Sequence, residues 1–208
     1  MLSIIWKRIG CESMKIEIEN ESNKELKFTL KDSSISFANL LRRYAINSVP
    51  TFAIEDVSFY ENTTSFFDEY IAHRLGFIPL TTPLKAKSGE EVTLMLDIDE
   101  PGLVYSGNLK TSNKEVHPVS LKIPIIKLSE GQKLKIESKA VLGVARDHVK
   151  FQPGIISYSY EKEKPDVFKF FIESFGQMKA KDLLKVALGK IEEDATEIAK
   201  NLKKNVNE

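Results

Sequence analysis

The sequence predicts an α+β fold. Three observations carry this: apolar and polar residues alternate strand-fashion from Lys15 and again through the middle of the chain, a compact helical stretch follows the first alternation, and a long amphipathic helix occupies the C-terminal segment.

Taken in order, Lys15 to Glu19 and Glu25 to Leu30 alternate around the polar stretch Asn20 to Asn23, which predicts a half-buried β-hairpin. Asp32, Ser33 and Ser34 then offer N-cap oxygens to a helix through Phe37 to Ile46. Pro50 stops it, because the residue before a proline avoids helical dihedrals. Phe52 to Tyr60 reads as a strand. Ser65 with Asp68 makes a capping-box-like start to a short second helix, which Gly76 ends with Pro79 beyond it. Val92 to Ile98 and Lys133 to Ala140 read as strands, separated by the turn signals Pro101-Gly102, Ser106-Gly107 and Glu130-Gly131, so the middle is mostly antiparallel β. Glu161 to Lys164 is a charged link, Val167 to Glu173 alternates as a strand, and Gly176 precedes the final helix.

In that helix Leu184, Leu188, Ile191, Ala195, Ile198 and Leu202 are spaced four and three residues apart in turn, a heptad seam. Leu183, Ala187 and Ala199 widen the apolar face, and Gly189 permits close approach of a neighbour. Such a seam packs either on the chain's own sheet or on a partner helix, and spacing alone leaves both open. The first helix shows a comparable division. Ala38, Leu41, Ala45 and Val49 form one apolar stripe, while Asn39, Arg42, Arg43 and Ile46 share another face. Adjacent arginines beside apolar groups suit a protein interface, since the guanidinium is a planar fork on a stem that packs; a solvated charged edge reads the same way.

Composition narrows the function. The 208 residues, 42% apolar, suffice for one substantial domain or two small ones. Lys and Arg number 30 and so do Asp and Glu, so no net field draws a phosphate backbone, which argues against stand-alone nucleic-acid binding. The single cysteine, Cys11, supports no disulfide framework and no clustered-thiolate zinc or iron–sulfur site, and suggests a reducing, cytoplasmic setting. Leu2 to Trp6 is apolar but too short to span a membrane. Because Met14 is followed at once by the first strand, residues 1–13 read as a possible N-terminal extension.

Catalytic chemistry has little to stand on. His73, His117 and His148 are the histidines, and nothing in their spacing converges them with carboxylates or a metal. Asp147 and His148 are sequence neighbours that a strand would point to opposite faces. Asp97 and Asp99 alternate on one strand face but precede a Pro-Gly turn, where solvated acids are routine. There is no Walker-type lysine loop, no G-x-G-x-x-G fingerprint and no G-x-S-x-G elbow. No catalytic residue, cofactor or metal ligand is expected. A ligand-binding or enzymatic α+β protein with a pocket in the middle region stays as the alternative class.

Several long motifs carry a resemblance. Phe37-Ala-Asn-Leu-Leu-Arg-Arg, Val49-Pro-Thr-Phe-Ala-Ile-Glu-Asp-Val, Asn62-Thr-Thr and Asp68-Glu-Tyr-Ile-Ala-His-Arg-Leu-Gly-Phe-Ile-Pro-Leu occur in family order. Ala140-Val-Leu-Gly-Val-Ala-Arg-Asp-His-Val-Lys-Phe-Gln-Pro-Gly and Phe171-Ile-Glu-Ser-Phe-Gly follow them. From Met14 onward the chain resembles the alpha-like RNA polymerase subunits of archaea and eukaryotes, in the archaeal branch.

The resemblance implies a two-lobed, alpha-N-terminal-domain-like fold: a discontinuous dimerisation domain of residues 14–49 and 153–208, and a mostly β insert domain of residues 50–152. It implies a non-catalytic assembly platform of the archaeal DNA-dependent RNA polymerase. Leu184, Leu188, Ile191, Ala195, Ile198 and Leu202 would face the small partner subunit, called L in archaea. Asn39, Arg42, Arg43, His73, Arg74, Arg146, His148 and Lys150 would surround the docking region for the large catalytic subunits, with further small subunits also bound. Many archaeal members carry a cysteine-rich, ferredoxin-like domain after the Gln-Pro-Gly region. Here Glu161-Lys-Glu-Lys stands in that place with no cysteine after Cys11, so no iron–sulfur cluster is expected. The bacterial version adds a promoter-binding C-terminal domain, whereas this chain ends with its helix, so no sequence-specific DNA binding and no membrane association are expected. Phe151 stands where the family pattern has a tryptophan.

Overall fold

A computed structural model of the chain describes residues 14–206, with side chains as far as Leu202. The expectations that fall on residues 1–13, Cys11 among them, lie outside the described residues. The described chain separates into two compact units. One comprises the residues up to Val49 together with Pro153–Phe175 and the residues from Lys179 onward; the other comprises Pro50–Gln152 with Gly176–Met178.

The first unit is built on a four-stranded antiparallel sheet of order β1-β2-β10-β9, made of β1 (Lys15–Glu21), β2 (Glu25–Lys31), β9 (Gly154–Glu161) and β10 (Lys164–Ser174). Period-two alternation puts Leu26, Phe28 and Leu30 of β2 on one face, where they pair with Phe168, Phe170 and Ile172 of β10 and are buried. Phe28 and Phe170 stack with ring centroids 4.8 Å apart. Two helices cover this face: α1 (Ile35–Asn47) packs on β9, and the long C-terminal helix (Ala180–Val206) packs on α1 and β10. The opposite face carries Phe171 and Ile155 among charged groups, with Lys31 to Glu17 at 2.7 Å and Lys169 to Glu161 at 3.2 Å, exposed pairs that add little stability.

α1 starts where its cap chemistry places it. The Ser34 hydroxyl accepts from the Phe37 N–H at 3.2 Å, and the stripe Ala38, Leu41, Ala45, followed by Val49, is buried throughout. β9 is absent from the reading of the sequence, and the charged link Glu161–Lys164 is in fact the tip of the β9–β10 hairpin, with Lys162 and Glu163 as its turn.

The second unit holds a four-stranded sheet of order β3-β8-β4-β6, comprising β3 (Thr51–Asn62), β4 (Glu91–Ile98), β6 (Lys110–Thr111) and β8 (Leu134–Gly143), and a separate pair of β5 (Gly102–Tyr105) with β7 (Pro124–Leu128). Phe52, Ile54, Leu94 and Ile136 form its core with Ile71 and Leu75 of α2 (Asp68–Gly76). The expected capping box of α2 does not form. Its N-cap is Phe67, without a side-chain cap; Asp68 instead accepts from the Asn62 amide at 2.6 Å, and Ser65 accepts from Gln132 at 3.4 Å. Gly143 has a packing reason: a Cβ there would lie 2.6 Å from the ring of buried Phe151. No helix among the described residues is long and apolar enough to cross a membrane.

Candidate protein-interaction surfaces

The C-terminal helix, α3, is where the fold commits most apolar surface to a face that changes character along its length. At its start Ala180, Leu183 and Ala187 are fully buried and Leu184 is 8% exposed. Its first turn is fixed by the Ala180 N–H donating to the Asn23 carbonyl at 3.1 Å, and by Lys181 meeting Glu21 at 2.8 Å. Further along, the Tyr44 hydroxyl of α1 donates to the Asp194 carboxylate at 2.8 Å. Leu188 and Ile191 are half-buried. Beyond Asp194 the seam opens: Ala195 is exposed, Ile198 is 62% exposed and Leu202 61%.

The sequence-derived seam therefore divides. Leu184, 8% exposed, is buried within the chain's own unit. Ala195, Ile198 and Leu202 stand open, with Leu188 and Ile191 between. Gly189 lies about 100° around the helix from Leu188, off the seam, and a Cβ there would meet nothing within 4 Å.

On α1, Arg42 donates to the Asn39 side-chain Oδ1 at 2.9 Å, which fixes the guanidinium along the helix, and Arg43 is exposed. The remaining candidates lie in the second unit and do not act as one set. Phe77 is flanked by His73, with ring centroids 5.0 Å apart, and by His148 at 6.0 Å, and all three side chains are exposed. Arg146 is exposed nearby in sequence.

Arg74 and Lys150 are engaged within their own unit. Arg74 donates to the Pro124 carbonyl at 2.6 Å and lies over the Tyr70 ring, tying α2 to β7. Lys150 meets Glu55 at 2.5 Å, donates to the Ile54 carbonyl at 3.0 Å and sits over the Phe151 ring. The stretch holding Asp147 and His148 is a turn leading into a short 3-10 helix (Val149–Phe151), not a strand; His148 Nδ1 accepts from the Lys150 N–H at 3.1 Å and so serves as its cap. Asp97 pairs with Lys135 at 3.1 Å.

Among the described residues no cluster of histidine, cysteine or carboxylate side chains is arranged to hold a metal ion. A shallow depression on the second unit's sheet is lined by Tyr60, Met95, Asp97, Lys135 and Glu137. There the Tyr60 hydroxyl donates to Glu137 at 3.1 Å; that bond and the carboxylate charge raise the phenol's pKa above its ordinary value.

Two features escaped the sequence reading. The Tyr44–Asp194 bond joins residues 150 apart, which no local pattern reveals. Phe66 and Phe67 stand exposed before α2, where an adjacent aromatic pair at a helix start was the available signal.

These features define a class: an α+β chain whose two helices lie on one face of a discontinuous sheet and whose last helix offers an open apolar row. Residues 27–195 match the RNA polymerase Rpb3/Rpb11 dimerisation domain, and the chain belongs to that family. It is similar to the DNA-directed RNA polymerase subunit Rpo3 of Pyrococcus furiosus, with 47% identity over 154 residues that cover 71% of this chain and 59% of the relative. The Rpo3 subunit of Methanocaldococcus jannaschii is 42% identical over 190 residues, covering 91% of this chain and 92% of the relative. That of Halobacterium salinarum is 41% identical over 147 residues, covering 71% and 59%. The chain thus spans about three fifths of the Pyrococcus and Halobacterium relatives and nearly all of the Methanocaldococcus one.

Proposed function

We propose that this chain is a subunit of an archaeal DNA-directed RNA polymerase, works in the cytoplasm, and acts as an assembly platform without catalytic chemistry of its own. The first unit is its dimerisation domain and the second its insert domain. Through the distal half of α3 it forms a heterodimer with the small subunit L. Arg42 and Arg43 on one unit, and the His73–Phe77–His148 row with Arg146 on the other, dock large catalytic subunits. Polymerisation chemistry resides in those partners.

One observation carries this reading: the row Ala195, Ile198, Leu202 continues a buried row of the same helix into solvent. An isolated subunit gains nothing from exposing large aliphatic groups in register, whereas a partner helix of matching period buries them, at about 25 cal/mol per Å² of apolar surface. The Rpb3/Rpb11 dimerisation match covers α1 and α3 as far as Ala195, which supports a dimerising role for the first unit. Co-expression with a candidate L subunit, followed by mass determination, tests it. The expected product is a stable 1:1 heterodimer. A monodisperse monomer indifferent to L overturns the platform reading and favours a ligand-binding protein.

A further inference from the structure

The most exposed aromatic group among the described residues lies outside every surface considered above. Phe67, at the N-cap of α2, is 82% exposed; Phe66 and Tyr70 beside it are each nearly half exposed, and their rings stack with centroids 5.1 Å apart. Three contiguous aromatics at a surface are costly to leave in water and are the residue types that anchor protein interfaces.

The segment that carries them is held rigid by its own polar side chains. Asn62 donates to the Phe66 carbonyl at 3.0 Å and to Asp68 at 2.6 Å, while its oxygen accepts from the Thr64 N–H at 3.0 Å and the Thr64 hydroxyl at 2.7 Å. The Thr64 hydroxyl in turn accepts from the Phe66 N–H at 3.2 Å, and the Thr63 hydroxyl accepts from the Lys133 N–H at 2.7 Å. None of these bonds buries the Phe67 ring. They fix a loop so that the ring points to solvent, and a ring fixed before binding loses little freedom when it binds.

Charge identifies what fits there. From Glu61 to Tyr70 the chain carries Glu61, Asp68 and Glu69 and no cation. Glu61 and Glu69 are exposed. Arg74, directed to the Pro124 carbonyl and the Tyr70 ring, and exposed Lys133, whose N–H bonds Thr63, are the cations beside it, so three carboxylates stand against two cations around the ledge. A nucleic-acid backbone or an anionic lipid surface is repelled by this rim, and a second copy of the chain would set the same acids against themselves. We infer that the Phe66–Phe67–Tyr70 ledge docks a protein segment of another polymerase subunit, one presenting an apolar side chain flanked by lysine or arginine.

The inference rests on the platform reading but names a surface and a partner chemistry that reading does not. It is tested in the assembled polymerase, reconstituted from purified subunits, with a benzoylphenylalanine photo-crosslinker in place of Phe67. The expected result is a crosslink to one stretch of a different subunit with lysine or arginine within a few residues. Glu69→Lys, a change at an exposed side chain, is expected to lower its yield at least tenfold. Phe67→Ala is expected to weaken retention of that same subunit tenfold or more while the L heterodimer keeps its mass. The ledge assignment is overturned by a crosslink to a second copy, to nucleic acid or to an acidic segment. It is equally overturned by a yield no higher than from a probe at exposed Leu84, or by indifference to Glu69→Lys. A chain that enters the polymerase yet fails these readouts sinks the ledge alone; a chain that never enters the complex sinks the platform reading with it.

Discussion

The two halves of α3 share one sequence pattern and meet opposite fates. Ala180, Leu183, Leu184 and Ala187 lie at zero to 8% exposure, while the same apolar face continued through Ile198 and Leu202 leaves groups more than 60% exposed. The Tyr44–Asp194 bond ties the middle of the helix to its own unit. A heptad seam thus specifies which side of a helix is apolar and nothing about whose atoms will cover it. Cover is decided by where the sheet ends.

Four changes break or sharpen this contrast. Leu183→Ala removes a fully buried side chain from the proximal half and should destabilise the isolated chain by about 2–5 kcal/mol, read as a lower urea midpoint at unchanged slope. Ile198→Asp together with Leu202→Asp should alter the isolated chain's stability by no more than about 0.5 kcal/mol. The same pair should abolish the heterodimer in a mass measurement, since a buried unpaired charge is strongly unfavourable. Equal damage to chain stability from both substitutions would erase the distinction between the halves.

Tyr44→Phe should cost about 1 kcal/mol in thermal unfolding by deleting the hydroxyl that holds the midpoint of the helix. Gly189→Ala, on a face where a Cβ meets nothing, should stabilise the isolated chain by roughly 0.5–1 kcal/mol and leave the heterodimer intact. A loss of heterodimer from that change would mean a partner backbone runs close to Gly189 rather than along the seam.

Long, strongly periodic segments were legible in the sequence: β2, β4, β8, α1 and α3 each present many residues that vote for the same face. β9 was not, because its opening Gly154 is followed by Ile155 and Ile156 side by side, one exposed and one buried, so its alternation is hidden at the point where a reader looks for it. β5, β6 and β7 span two to five residues, too few for any period to emerge. Of the candidate surface cations, Arg74 and Lys150 looked as free as Arg43. Their partners lie 50 and 96 residues away in the chain, and only folding brings those carbonyls within reach. The α2 start shows the same limit, since Ser65 and Asp68 had cap chemistry available and Asn62 and Gln132 claimed it.

The hairpin tip between β9 and β10 already interrupts its own ladder. Glu161 pairs with Lys164, the next pair is Tyr160 with Phe168, and Pro165, Asp166 and Val167 lie between with nothing opposite them. Such a tip is a splice point. Extra chain entering between Lys162 and Glu163 disturbs no paired residue, and each doubling of its length adds only about 0.6 kcal/mol of closure entropy. A whole folded module with neighbouring termini could be spliced in there while the strands below keep their register, so members of one family can differ greatly in length and still present the same sheet.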